Sequence, residues 1–122
     1  MKRILSVLLA VVLLAFAAAC APKIPEGMSK GAYDLGLQAL DAADEYLDGN
    51  VSANDARDDV YIISQELLEW VQEAEINKEL QSYVFFISLD FDGLDLQLHD
   101  REDILESRNE VARVLGVKER AD

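Results

Sequence analysis

Residues 87–98, ISLDFDGLDLQL, decide the fold, because they read two ways. Ile87, Leu89 and Phe91 alternate with Ser88 and Asp90, and Leu94, Leu96 and Leu98 alternate with Asp95 and Gln97. Asp92-Gly93 between two alternating runs is the strongest short hairpin signal. The same residues also extend a helical stripe that begins earlier. Leu80, Val84, Ile87, Phe91, Leu94 and Leu98 recur in steps of three or four. A two-residue loop at Asp92-Gly93 would set Asp90 directly opposite Asp95, a repulsive pair. It would also leave an isolated two-stranded hairpin, which is marginal in water, and no further strands stand out. The stretch is therefore read as helix, with a break or kink near Gly93 and with Asn77 as its N-cap.

The flanking sequence agrees. Upstream, Tyr33, Leu37, Leu40, Ala43 and Leu47 place one apolar face on a helix over 29–48, and Gly49 follows as its C′ residue. A second helix begins after Asn50, where Ser52 and Asp55 have the spacing of a capping box. Its face runs Ala56, Val60, Ile63, Leu67, then Trp70 or Val71, and Ala74. So short a connection implies antiparallel neighbours. Downstream, Asp100 and Asp103 open a last helix whose face uses Ile104, Leu105, Val111, Ala112 and Leu115. Glu102 and Asp103 in its first turn, and Arg108 and Arg113 in its later half, suit the helix macrodipole. Gly116 closes it. No proline follows Pro25, which also suits helices. The expectation is an all-α antiparallel three- to four-helix bundle over 29–116, with 117–122 fraying at its end.

Composition narrows the function. The chain has 122 residues, 24 Asp+Glu against 11 Lys+Arg, and a formal net charge of -13. That balance disfavours nucleic-acid backbones, whose phosphates it repels. A single cysteine, Cys20, can form neither an internal disulfide nor a cysteine-based zinc site. A single histidine, His99, excludes any two-histidine site.

Much of the hydrophobic content lies at the start. Lys2 and Arg3 precede an apolar run from Ile4 to Phe16, broken by Ser6, and then Ala17, Ala18, Ala19 and Cys20. This is the layout of a secretory signal peptide. Small residues ending on the chain's only cysteine resemble the lipobox of bacterial lipoproteins. The resemblance implies cleavage after residue 19 and acylation of Cys20, with Ala17 standing where such boxes usually carry Leu. Ordinary cleavage at the Ala17-x-Ala19 pattern and an uncleaved anchor are the competing readings; the apolar run is short for a bilayer span. Residues 20–28, with Pro22, Pro25 and Gly27, read as a flexible tether. Loss of residues 1–19 removes two bases, so the attached form is more acidic still.

Two further stretches resemble small secreted or lipid-anchored helical proteins of unknown function from Gram-positive-type bacteria. One is Tyr46-Leu47-Asp48-Gly49 with Ser52 and Asp55-Ala56. The other is Arg108-Asn109-Glu110-Val111-Ala112 with Leu115-Gly116. This likeness implies a helical lipoprotein and lends no activity.

Few residues suggest chemistry. The densest acidic group is Asp90, Asp92, Asp95, Asp100 and Asp103. Read as a calcium loop with Gly93 sixth, it places Ser88 first and His99 twelfth, so the bidentate glutamate is missing. Asp58-Asp59 and Glu66 with Glu69 read as solubilising surface rather than acid–base pairs. His99 beside Asp100 has no serine placed as a nucleophile, and reads as an exposed residue before the last helix. Arg57, Arg108 and Arg113 read as surface partners for acids on other helices, worth little each. Trp70 fits the core stripe. Phe85 and Phe86 are adjacent and cannot both point inward, so they and Tyr83 are candidate partner contacts.

The sequence thus predicts a non-enzymatic, acidic, lipid-anchored helical protein without a cofactor or metal, acting as an interaction or structural module. Its expected place is the cell envelope, on the extracytoplasmic side, tied to membrane through Cys20, with an envelope protein as candidate partner. By the same resemblance to bacterial lipoproteins, Ala21 in place of Asp implies sorting to the outer membrane where the organism has one. The alternative is an extracytoplasmic divalent-cation-binding or sensing protein using Asp90–Asp103.

Overall fold

A computed structural model describes residues 23–122. The expected signal peptide, Cys20 and the first residues of the tether lie outside the described residues. The apolar stripes become four helices: α1 (Lys30–Leu47), α2 (Ala53–Leu67), α3 (Glu75–Asp95) and α4 (Arg101–Leu115), with a 3₁₀ turn at Leu68–Trp70 between α2 and α3. The described residues contain no strand and no helix long and apolar enough to cross a membrane. α1 and α3 each pack against both α2 and α4. Long-range bonds set the directions. Ser29 at the start of α1 meets Asn77 at the start of α3, whereas Arg57 early in α2 meets Asp92 late in α3. Arg101, opening α4, reaches the Leu47 carbonyl that closes α1. Successive helices therefore run antiparallel.

The core is continuous. Leu40, Ala43 and Leu47 from α1 meet Val60 and Leu67 from α2, Leu80, Val84 and Ile87 from α3, and Ile104, Val111 and Leu115 from α4. Phe91 is buried and packs edge-on to Tyr46, with ring centroids 5.1 Å apart. Burial of this kind contributes about 1.5–3 kcal/mol per large side chain, which explains why residues 80–91 are helical. A hairpin at 92–93 would have broken the stripe that carries Ile87 and Phe91 inward.

Several boundaries differ from the sequence reading. α3 starts at Glu75, so Asn77 lies inside its first turn and is fully buried. It does not cap its own helix. Its Oδ1 accepts from the Ser29 backbone N–H, and its Nδ2 donates to Ser29 Oγ at 2.8 Å and the Trp70 carbonyl at 3.0 Å. α2 stops at Leu67 rather than running to Ala74.

Gly93 lies within α3, close to its end. A Cβ there would lie 1.7 Å from the His99 ring, so glycine is needed for close approach. The helix ends two residues later. Leu98 N–H and Gln97 N–H donate to the carbonyls of Gly93 and Leu94, the pattern of a Schellman motif with Gln97 at φ 60°. Leu98 therefore leaves the stripe, and Leu96 and Leu98 stand 68% and 74% exposed.

The ends are also tied down. Ile24 and Met28 pack on the core, so the described part of the tether is docked rather than free. Instead of fraying, residues 117–122 fold back. The Lys118 carbonyl accepts from Arg108, and Arg120 N–H donates to Asn109.

Candidate functional site

Helical geometry places the candidate aromatic residues. Tyr83 and Phe85 differ by about 200° around α3 and Phe85 and Phe86 by about 100°, while the core stripe lies between Leu80 and Phe91. Neither phenylalanine faces the core. Phe86 is 49% exposed, and the half-buried Tyr83 meets it edge-on at 6.2 Å. They form one shallow surface with Glu75, Lys78, Glu79 and Ser82. Phe85, half-buried, lies on the other shoulder of α3. The three residues thus divide into a patch of two and one side chain outside it.

The acidic group is divided as well. Arg57 Nε donates to Asp92 Oδ1 at 2.6 Å. Asp100 accepts from Asp103 N–H while Asp103 accepts from Asp100 N–H, a reciprocal capping box that opens α4. Asp90 accepts from the Ser107 hydroxyl on α4. His99 bridges the remainder, with Nδ1 3.3 Å from Asp103 and 3.7 Å from Asp90. Burial pushes the Asp90 carboxyl above its ordinary value, opposed by the Ser107 hydroxyl and His99. The Asp100 backbone N–H holds the Asp103 carboxyl below the usual range. Four of these five acids thus serve helix ends and helix–helix contacts. Among the described residues no cluster of three His, Cys, Asp or Glu side chains is placed to hold a metal ion.

The densest polar constellation was not legible as such in the sequence. Sequence position makes Arg108 a surface residue that suits the macrodipole, yet it is buried to 7% exposure. Its Nε and Nη2 grip Asp44 at 2.8 and 3.1 Å, a bidentate pair between α4 and α1. Arg120 adds a contact to Asp44 at 3.3 Å and one to Asp48 at 2.9 Å. Asp122 in turn accepts from Arg101 and Arg120, which hold its carboxyl well below the usual range. One signal was available. Ile104, Arg108, Val111 and Leu115 share helical spacing, so Arg108 sits on an apolar stripe.

These arrangements are structural. They pair opposite charges and cap helix ends, whereas Phe86 stands exposed beside Tyr83, whose ring also packs against the core. Compared with known proteins, the chain matches no family model, no curated protein and no solved structure.

Proposed function

We propose that this protein is a non-enzymatic, lipid-anchored module of the cell envelope that presents a helical surface to a protein partner. The observation that carries the reading is the half-exposed Phe86 with Tyr83 edge-on beside it. Aromatic side chains at a surface are effective binding anchors, since they bury large area with little loss of conformational freedom. The anchor rests on Ala17-Ala18-Ala19-Cys20. Lipid on Cys20 and the short segment before Lys30 hold the bundle close to the bilayer, on the extracytoplasmic side. Its acidity repels anionic headgroups and keeps the surface available.

Cys20→Ser is expected to abolish labelling by a fatty-acid probe and release the protein from membranes. Retention of the variant would identify an uncleaved anchor instead. Phe86→Ala and Tyr83→Ala are expected to remove crosslinks to an envelope protein while the unfolding free energy changes by less than about 1 kcal/mol for Phe86→Ala. Unchanged crosslinking, or none in the parent, would reject the patch. The cation-binding alternative is less well supported, because Asp90, Asp92, Asp100 and Asp103 already have partners. It predicts heat on titration with millimolar calcium, magnesium or zinc; the module predicts none.

A further inference from the structure

A second surface lies away from the aromatic patch, on the outer side of the α1–α2 pair. An open cleft of about 540 Å³ runs between the two helices. Leu37, Val51 and Ile62 contribute apolar surface, and Ile62 is 54% exposed. Asp41 and Glu45 border it from α1, Asp59 and Glu66 from α2, and no Lys or Arg among the described residues lines it. None of these four carboxylates is in an ion pair among the described residues. Asp41 and Glu45 are four apart on α1, and Asp59, Ile62 and Glu66 lie at helical spacing on α2. The cleft is therefore an apolar trough with an acidic row on each side.

We propose that this cleft receives a basic amphipathic helix of a partner protein, with an apolar stripe on the floor and Lys or Arg against both acidic rows. A helix laid in a groove is a recurring mode of recognition. Here charge complementarity selects the occupant. Nucleic acid and anionic lipid would bring phosphates against four carboxylates. A second copy of this chain, at -13, is repelled. A neutral apolar segment would desolvate the carboxylates without a counter-charge. The inference does not depend on the Tyr83–Phe86 patch or on Cys20.

The test uses the full chain in zwitterionic nanodiscs and a fluorescent amphipathic Leu/Lys peptide, with empty nanodiscs as the blank. Anisotropy is expected to report binding that weakens as ionic strength rises from about 0.01 to about 0.15 M, where the Debye length falls from about 30 to about 8 Å. The matching Leu/Glu peptide is expected not to bind. Asp59→Lys with Glu66→Lys should weaken the Leu/Lys complex about tenfold. Ile62→Ser should weaken it without unfolding, since that side chain is exposed. Glu75→Lys with Glu79→Lys changes the net charge equally, on the aromatic side, and should leave affinity unchanged. Absence of binding overturns the proposal. So does equal weakening by the Glu75/Glu79 pair, which would move the contact to the aromatic face or to overall charge and leave the Tyr83–Phe86 reading intact.

Discussion

The two flanks of α1 make the same side chains behave in opposite ways. On the flank toward α4, Asp44 is gripped by Arg108 and touched by Arg120. On the flank toward α2, Asp41 and Glu45 border an open cleft that no cationic side chain among the described residues lines. All three carboxylates lie within five residues of one helix. The difference is what stands opposite. A carboxylate against a buried guanidinium becomes part of the fold, since removing either partner strands the other's charge in a low-dielectric site. A carboxylate against water contributes little to stability and remains free to meet something else. One flank is closed by paired charges, and the other carries its carboxylates on an open cleft.

The sharpest way to break this contrast is Arg108→Ala. It strands Asp44, which keeps only Arg120 and partial solvent, so a loss of about 2–4 kcal/mol is expected in denaturant unfolding. A loss below about 0.5 kcal/mol would make the closed flank no different from the open one. Next in size is Tyr33→Phe on the inner face of α1. The Tyr33 hydroxyl is buried with no hydrogen-bond partner among the described residues, so its removal should stabilise the bundle by about 1 kcal/mol. Destabilisation instead would mean that the hydroxyl is satisfied in solution. On the open flank, Asp41→Ala should change stability by less than about 0.5 kcal/mol, in either direction.

The smallest effect is local and depends on pH. Arg120 and Arg101 depress the Asp122 carboxyl, so its contribution is complete above the ordinary carboxylate pKa. It is lost only as the pH falls through the lower, folded-state value. Amide exchange of Arg120, whose N–H is held by Asn109, should therefore stay protected under mild acid and open in stronger acid. Opening at mildly acidic pH, with the helices intact, would show that these ion pairs do not hold the tail.

How much of this could be read from the residues differs from place to place. The helical stripe through Ile87 and Phe91, Ser52 as an N-cap, the start of the last helix at Asp100 and the glycine ends at Gly49 and Gly116 are local patterns, and each appears as expected. The reciprocal box forms at Asp100–Asp103, whereas at Ser52 only the bond from the Asp55 N–H is made. Asn77 was misplaced because a polar residue before an apolar stripe looks like a cap for its own helix. Its partners, Ser29 and Trp70, come from elsewhere in the chain. Gly93 looked like a breaker because its helix cost is visible in sequence, whereas the His99 ring lying against it is not. The α3 stop falls at Gln97, a residue with no particular preference for positive φ. The candidate contact set was legible as three aromatics, and helix phase then separated Phe85 from Tyr83 and Phe86.

By itself, then, the sequence determined the all-α class, the approximate helix spans and the inward residues, because periodicity and capping act within a few residues. Only the tertiary structure decided which charges are buried, which glycine is a contact rather than a break, and which carboxylates stay free. Those outcomes depend on what lies opposite a side chain, and Asp44 and Arg108, 64 positions apart, meet only when α1 and α4 have packed.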